Sequence, residues 1–208
     1  MCAGRGPSWA SPNFSLKVLM TASNTQATID PLVWGQGSKT LEVFLEPTCP
    51  FSAKAFAKFD ALMERATPQR LTLKIRLQSQ PWHLLSPVVT RAILAAASTA
   101  GGKNAAKAVM AGVFFQREDF ILVNHCSGPN QDLSVRDILG LIEQHSGVPV
   151  KEAFELPELM TEMKWQARYA RQNGIHATPT FMVDGLVVPD MSSGDTVDVW
   201  LEKLGLAS

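Results

Sequence analysis

Leu71-Thr72-Leu73-Lys74-Ile75-Arg76-Leu77 alternates apolar and polar side chains at every step. A segment with that period runs extended, with one face against a core. Upstream, Lys39–Leu45 (KTLEVFL) is apolar over most of its length and reads as a strand buried for most of its length. Between them, over residues 52–66, Phe56, Phe59, Leu62 and Met63 recur at helical spacing, with Lys54, Lys58 and Glu64 mostly on other faces. Pro68 ends that helix. Strand, helix and strand in this order predict a right-handed parallel βαβ unit and place the chain in the α/β class.

The turn inside that unit carries the chemistry. Pro47 blocks continuation of the first strand, and Pro50 suits a first helical turn, where its missing N–H would have no partner anyway. Cys49 therefore sits between a strand and a helix start. Unpaired backbone N–H groups and the positive end of the helix dipole there favour thiolate over thiol, which makes Cys49 a candidate nucleophile. The alternative is a buried, inert cysteine. Three residues on, where a dithiol site would carry its second sulfur, stands Ser52. Its hydroxyl either donates a hydrogen bond to the Cys49 thiolate, as part of the catalytic apparatus, or caps backbone N–H groups.

The rest of the chain alternates helices with loops. Residues 78–87 form a loop holding Pro81, Trp82 and His83. Helices are expected over 88–99, 103–116, 133–145 and 159–172. Gly101-Gly102 breaks the first of these, Ser134 and Asp137 make a capping-box pattern at the start of the third, and Asn173-Gly174 ends the last. Thr180–Val183 (TFMV) reads as a strand, Asp184-Gly185 as a hairpin turn, 186–188 as the return strand and 195–204 as a closing helix. The roughly 90 residues of helical material between the two sheet-forming halves are too many for one crossover. The expected organisation is an N-terminal extension (1–34), a sheet domain made of 35–80 and 174–208, and an inserted helical subdomain (81–173).

Composition narrows the function. Basic and acidic residues balance at 19 each, so nothing points to nucleic acid or a charged membrane surface as a partner. No apolar run approaches a membrane span. Three cysteines, Cys2, Cys49 and Cys126, make a poor disulfide scaffold and suit a reducing compartment. The N-terminus lacks a convincing signal peptide, which gives a cytoplasmic expectation, and Met20 reads as an alternative start followed by a polar tether, with residues 1–19 dispensable for stability. His125 and Cys126 are adjacent, and no Cys/His set has metal-ligand spacing. His83, His125 and His176 read as structural or exposed, and Trp82 and Trp165 as core or groove lining. Cys126 reads as a loop thiol without a role, or else as a remote resolver of Cys49.

The segment Gly174-Ile175-His176-Ala177-Thr178-Pro179-Thr180-Phe181-Met182-Val183-Asp184-Gly185 resembles the cis-proline loop, strand and hairpin of thioredoxin-fold proteins. Together with Cys49-Pro50-Phe51-Ser52 and the helical insertion, it looks most like the DsbA-like branch, over roughly residues 35–205. The resemblance implies a thioredoxin-like fold, a cis Pro179 packed against Cys49, and substrate binding by Thr178, Pro179, Pro50 and Phe51. It implies a thiol–disulfide oxidoreductase, similar to protein disulfide isomerase, acting on protein or glutathione disulfides. Ser52 departs from the family pattern and removes the internal disulfide. Cys49 alone could form mixed disulfides resolved by another thiol, so that reduction, isomerisation or deglutathionylation remain open. No tightly bound cofactor is expected, with glutathione as a possible co-substrate. Two other readings stand beside this one. A kappa-type glutathione transferase or isomerase shares the architecture but carries serine in place of Cys49. A redox-inert module would use the proline groove to bind extended peptides.

Overall fold

A computed structural model describes residues 28–207. The expectations for residues 1–27 lie outside that range. Strand β3 (Leu71–Leu77) buries Leu71, Leu73, Ile75 and Leu77 and leaves the residues between them half-buried, as its alternation requires. β2 (Lys39–Leu45) runs parallel to it along its whole length, from Lys39 opposite Leu71 to Leu45 opposite Leu77. On the other side of β2 lies antiparallel β4 (Thr180–Val183), with Thr180 opposite Phe44. Two short edge strands, β1 (Val33–Trp34) and β5 (Leu186–Val187), complete a mixed sheet in the order β1-β3-β2-β4-β5. β1 was not expected, because two residues carry no readable period. In the β4–β5 turn, Asp184 and Gly185 both adopt positive φ, and the Asp184 carboxylate accepts the Thr40 N–H at 2.8 Å.

The helix expected over residues 52–66 is two helices. α1 (Pro50–Phe56) stops and α2 (Phe59–Ala66) begins after a tighter turn, where the Lys58 N–H bonds to the Ala55 carbonyl. The cause is tertiary. Lys58 donates to the carbonyls of Ser193 (2.7 Å) and Asp195 (2.5 Å), and its ammonium sits 4.4 Å from the centre of the Trp200 ring. The break also lets Phe56 meet Phe114 while Phe59 meets Trp200. The two phenylalanines still meet each other, edge to face at 5.9 Å.

Between β3 and β4 come α3 (Ser86–Ala97), α4 (Gly102–Phe115), α5 (Val135–Ser146) and α6 (Glu158–Gln172). α5 opens on the expected Ser134–Asp137 capping box. The helical block packs into the sheet: Val89, Ile93, Val109 and Ile138 belong to the same buried cluster as Leu73 and Ile75. The final helix, α7 (Val197–Lys203), anchors the chain end through fully buried Trp200. A smaller cluster of Phe44, Ala170, Ile175 and Met182 forms a second core. No helix among the described residues is long and apolar enough to cross a membrane.

Candidate active site

Sheet register brings the two motifs together. Thr180, at the start of β4, pairs with Phe44 near the end of β2, so the chain entering β4 abuts the chain leaving β2. Cys49 stands at the position just before α1, and its Sγ lies 3.8 Å from the carbonyl oxygen of Thr178, 129 residues away in sequence. The Thr178–Pro179 peptide is cis. Cys49 is 7% exposed and lines a cleft of about 420 Å³. Pro50, Phe51 and Thr178 line the same cleft, and Pro179 is half-buried behind Thr178.

Ser52 is fully buried, and its hydroxyl accepts the backbone N–H of Glu46 at 3.1 Å. The hydrogen bond to Cys49 that made Ser52 a catalytic candidate is not formed among the described residues. Instead Ser52 pins the loop that presents the sulfur. The reason is local: the turn through Pro47 folds the strand end back under the first helical turn, where the nearest unpaired donor is an amide.

Beneath the sulfur lies a group that the sequence reading passed over. Glu46 is fully buried, and its Oε2 accepts the Thr48 N–H at 3.0 Å. The Thr48 hydroxyl sits 3.0 Å from both carboxyl oxygens and 3.0 Å from His83 Nδ1. Desolvation raises the Glu46 pKa from its ordinary 4.5, against the opposing hydrogen bonds and the charge of Arg117. Desolvation, with the neighbouring His125 and Arg117, lowers that of His83. Both directions favour neutral forms. The Thr48 hydroxyl thus bridges a buried acid and an imidazole that lines the cleft; when Glu46 carries a proton, the carboxyl can donate to Thr48 and the hydroxyl to His83 Nδ1.

His83 and His125, read from sequence as structural or exposed, both line the cleft, their rings edge to face at 5.2 Å. The position of His83 was readable from topology. In a parallel pair both strands end on the same side, so the loop after β3 emerges beside the loop after β2. Trp82 and Leu84 on that loop, with Phe51 opposite, form an exposed apolar rim; Phe51 is 62% exposed. His176 is exposed, as expected, and Trp165 lies away from the cleft, stacked on Tyr169. Cys126 is a free, exposed cysteine on the turn next to His125. Among the described residues, no group of three or more His, Cys, Asp or Glu side chains is placed to hold a metal ion.

The comparisons with known proteins agree with this geometry. A candidate protein-disulfide isomerase from Pseudomonas syringae is 55% identical, with a TM-score of 0.83, over 85% of this chain and 98% of that one. A thioredoxin-like oxidoreductase from Silicibacter pomeroyi shares the fold at 21% identity and a TM-score of 0.60, over 83% of this chain and 88% of that one. DsbA2 of Pseudomonas aeruginosa does so at 18% identity and a TM-score of 0.60, over 86% and 94%. No family model and no curated protein matches.

Proposed function

Because the chain belongs to the DsbA-like family of thioredoxin-fold thiol–disulfide oxidoreductases, we propose that it works through one sulfur, Cys49, exchanging disulfides of proteins or of glutathione. The observation that carries this is the placement of Cys49 Sγ against the Thr178 carbonyl in an open cleft, with Ser52 where a dithiol motif carries its second cysteine. The Cys49 thiolate attacks one sulfur of R–S–S–R′. A Cys49–S–R bond forms, the S–S bond breaks, and R′–S⁻ leaves with the electron pair. A second thiol, R″–SH, then attacks as its thiolate, releases R–S–S–R″ and restores Cys49. When R″ is another thiol of the same substrate, the outcome is isomerisation. When it is glutathione, the outcome is reduction or deglutathionylation. A thiol pool of this kind suits a reducing compartment.

The departing thiolate needs a proton. His83 supplies it from the cleft wall and is recharged through the Thr48 hydroxyl by Glu46, which is left as carboxylate until the proton of the incoming R″–SH returns to it by the same route. Ser52 holds the loop in place, while Phe51, Pro50 and Thr178 line the substrate's approach.

Intact-mass spectrometry after incubation with oxidised glutathione tests the proposal. One adduct is expected, removed by free glutathione, absent in Cys49→Ser and retained in Cys126→Ser. A folded protein that takes up no adduct, or an adduct that persists in Cys49→Ser, overturns it.

A further inference from the structure

The cleft beside Cys49 has a size, a wall chemistry and a charge that together describe a ligand. Its volume of about 420 Å³ lies within the roughly 300–1,000 Å³ typical of small-molecule sites. The walls are mainly apolar, from Trp82, Leu84, Phe120 and Ile121 among others. Its charged and titratable lining, besides Cys49 itself, is Arg117, His83 and His125, and among the described residues no carboxylate lines it. The Arg117 guanidinium reaches the carbonyl of Thr48 at 3.4 Å, so it stands at the peptide that links Thr48 to Cys49. Its other contact is Glu118, a 78% exposed carboxylate at 2.5 Å. Exposed pairs of that kind are weak and give way to a better-enclosed anion. A guanidinium has five donors in a planar fork, so a second carboxylate can be taken up bidentately.

Resting on the single-sulfur reading of Cys49, we infer that Arg117 is the specificity residue of this cleft and that it selects small disulfides carrying a carboxylate a few bonds from the sulfur and an apolar body beyond. The carboxylate docks on Arg117, the apolar part lies against Trp82 and Leu84, and one sulfur of the disulfide is presented to Cys49. Glutathione disulfide supplies the carboxylates but no apolar body, so it meets only the first half of this description. Acids with larger apolar groups fill more of the cleft.

The test follows the reaction of Cys49 in the full chain with three small disulfides: 3,3′-dithiodipropionate (anionic), 2-hydroxyethyl disulfide (neutral) and cystamine (cationic). Each rate is divided by the rate of the same disulfide with a free model thiol, which removes differences in intrinsic reactivity. The anionic compound is expected to lead the neutral one by at least about tenfold, with cystamine slowest and the spread narrowing as salt is added. The anionic-to-neutral ratio collapses towards one in Arg117→Gln and rises in Glu118→Gln, which frees the guanidinium. As a ratio it is insensitive to the fraction of protein that is folded. A wild-type ratio near one, or a ratio unchanged in Arg117→Gln, overturns the inference. Failure of Cys49 to react with any of the three instead overturns the single-sulfur reading beneath it.

Discussion

Glu42 and Glu46 stand four residues apart, on β2 and on its exit, and both are buried acids with opposite surroundings. Glu42 is held by charge. Arg76 Nε donates to it at 2.8 Å, the Tyr169 hydroxyl at 3.1 Å, and the Lys74 ammonium lies 4.0 Å away. The Arg76 guanidinium is itself set over the rings of Trp165 (4.9 Å) and Tyr169 (5.3 Å). Glu46 has a backbone amide, the hydroxyls of Thr48 and Ser86 and an imidazole as its near neighbours, with Arg117 acting only through space. A buried carboxyl given a cation stays charged and serves as a structural clamp. One given neutral partners is pushed towards its protonated form and can hand a proton on. The neutral arrangement lies at the end of the strand where the sulfur and the cleft are. The charged one lies under α6, away from both.

The largest effect expected from breaking this contrast is at the clamp. Glu42→Leu leaves Arg76 without its carboxylate partner, and unfolding by denaturant should show a loss of about 3 kcal/mol. In a domain of this size that is a drop in Tm of roughly 6–12 °C, while Cys49 in the remaining folded protein still takes up glutathione. If the adduct disappears along with the stability, the two ends of β2 are not functionally separate. The next largest effect is at the site. His83→Gln should keep the fold yet slow turnover of a mixed disulfide by about 100-fold, the scale of a lost general acid. Poorly basic leaving thiols should be affected least, because they depart without a proton. An equal slowing for all leaving groups would mean that His83 only props the loop.

How much of this was legible before the structure follows from where each signal lives. The alternation of β3, the Pro50 helix start, the Asp184-Gly185 turn and the Cys49 and Pro179 motifs are local, and local sterics wrote them into the sequence. The break between α1 and α2 is written in Ser193, Asp195 and Trp200, which hold Lys58 from the far end of the chain. Ser52 was ambiguous for a similar reason: a hydroxyl near a helix start has several acceptors and donors in reach, and only the fold of the Pro47 turn decides between them. Glu46 drew no attention as a single residue, and His83 read only as structural or exposed. They become a pair only when β2 and β3 end side by side, which the βαβ reading already implied.

A smaller effect separates the clamp's charge from its hydroxyl. Tyr169→Phe removes one donor to Glu42 and keeps the ring stacked between Phe44 and Trp165. A loss of about 1 kcal/mol is expected, with Arg76 still paired. A loss as large as that of Glu42→Leu would make the tyrosine, not the arginine, the main partner.

The smallest change in stability, and the one whose sign says most, belongs to Glu46→Gln. The carboxyl is raised above its ordinary 4.5 by burial, so the folded protein keeps a proton that the unfolded chain has released. Between 4.5 and the folded value the native state binds more protons, and its stability falls as pH rises. The favourable contribution of the protonated acid is complete below 4.5 and is lost as pH rises through the folded pKa. Glutamine has no proton to lose. Denaturation of both proteins across this range should show the variant gaining on the wild type as pH increases from 4.5, then holding a constant lead once Glu46 is ionised in both states. His83 lies 3.6 Å from the same carboxyl and is coupled to it, so the comparison is made in a His83→Gln background, where the Glu46 proton is what differs. If the wild type gains on the variant instead, Glu46 is a charged partner of Arg117, as Glu42 is of Arg76. The two ends of the strand would then be alike, and the proton chain to His83 would have no source.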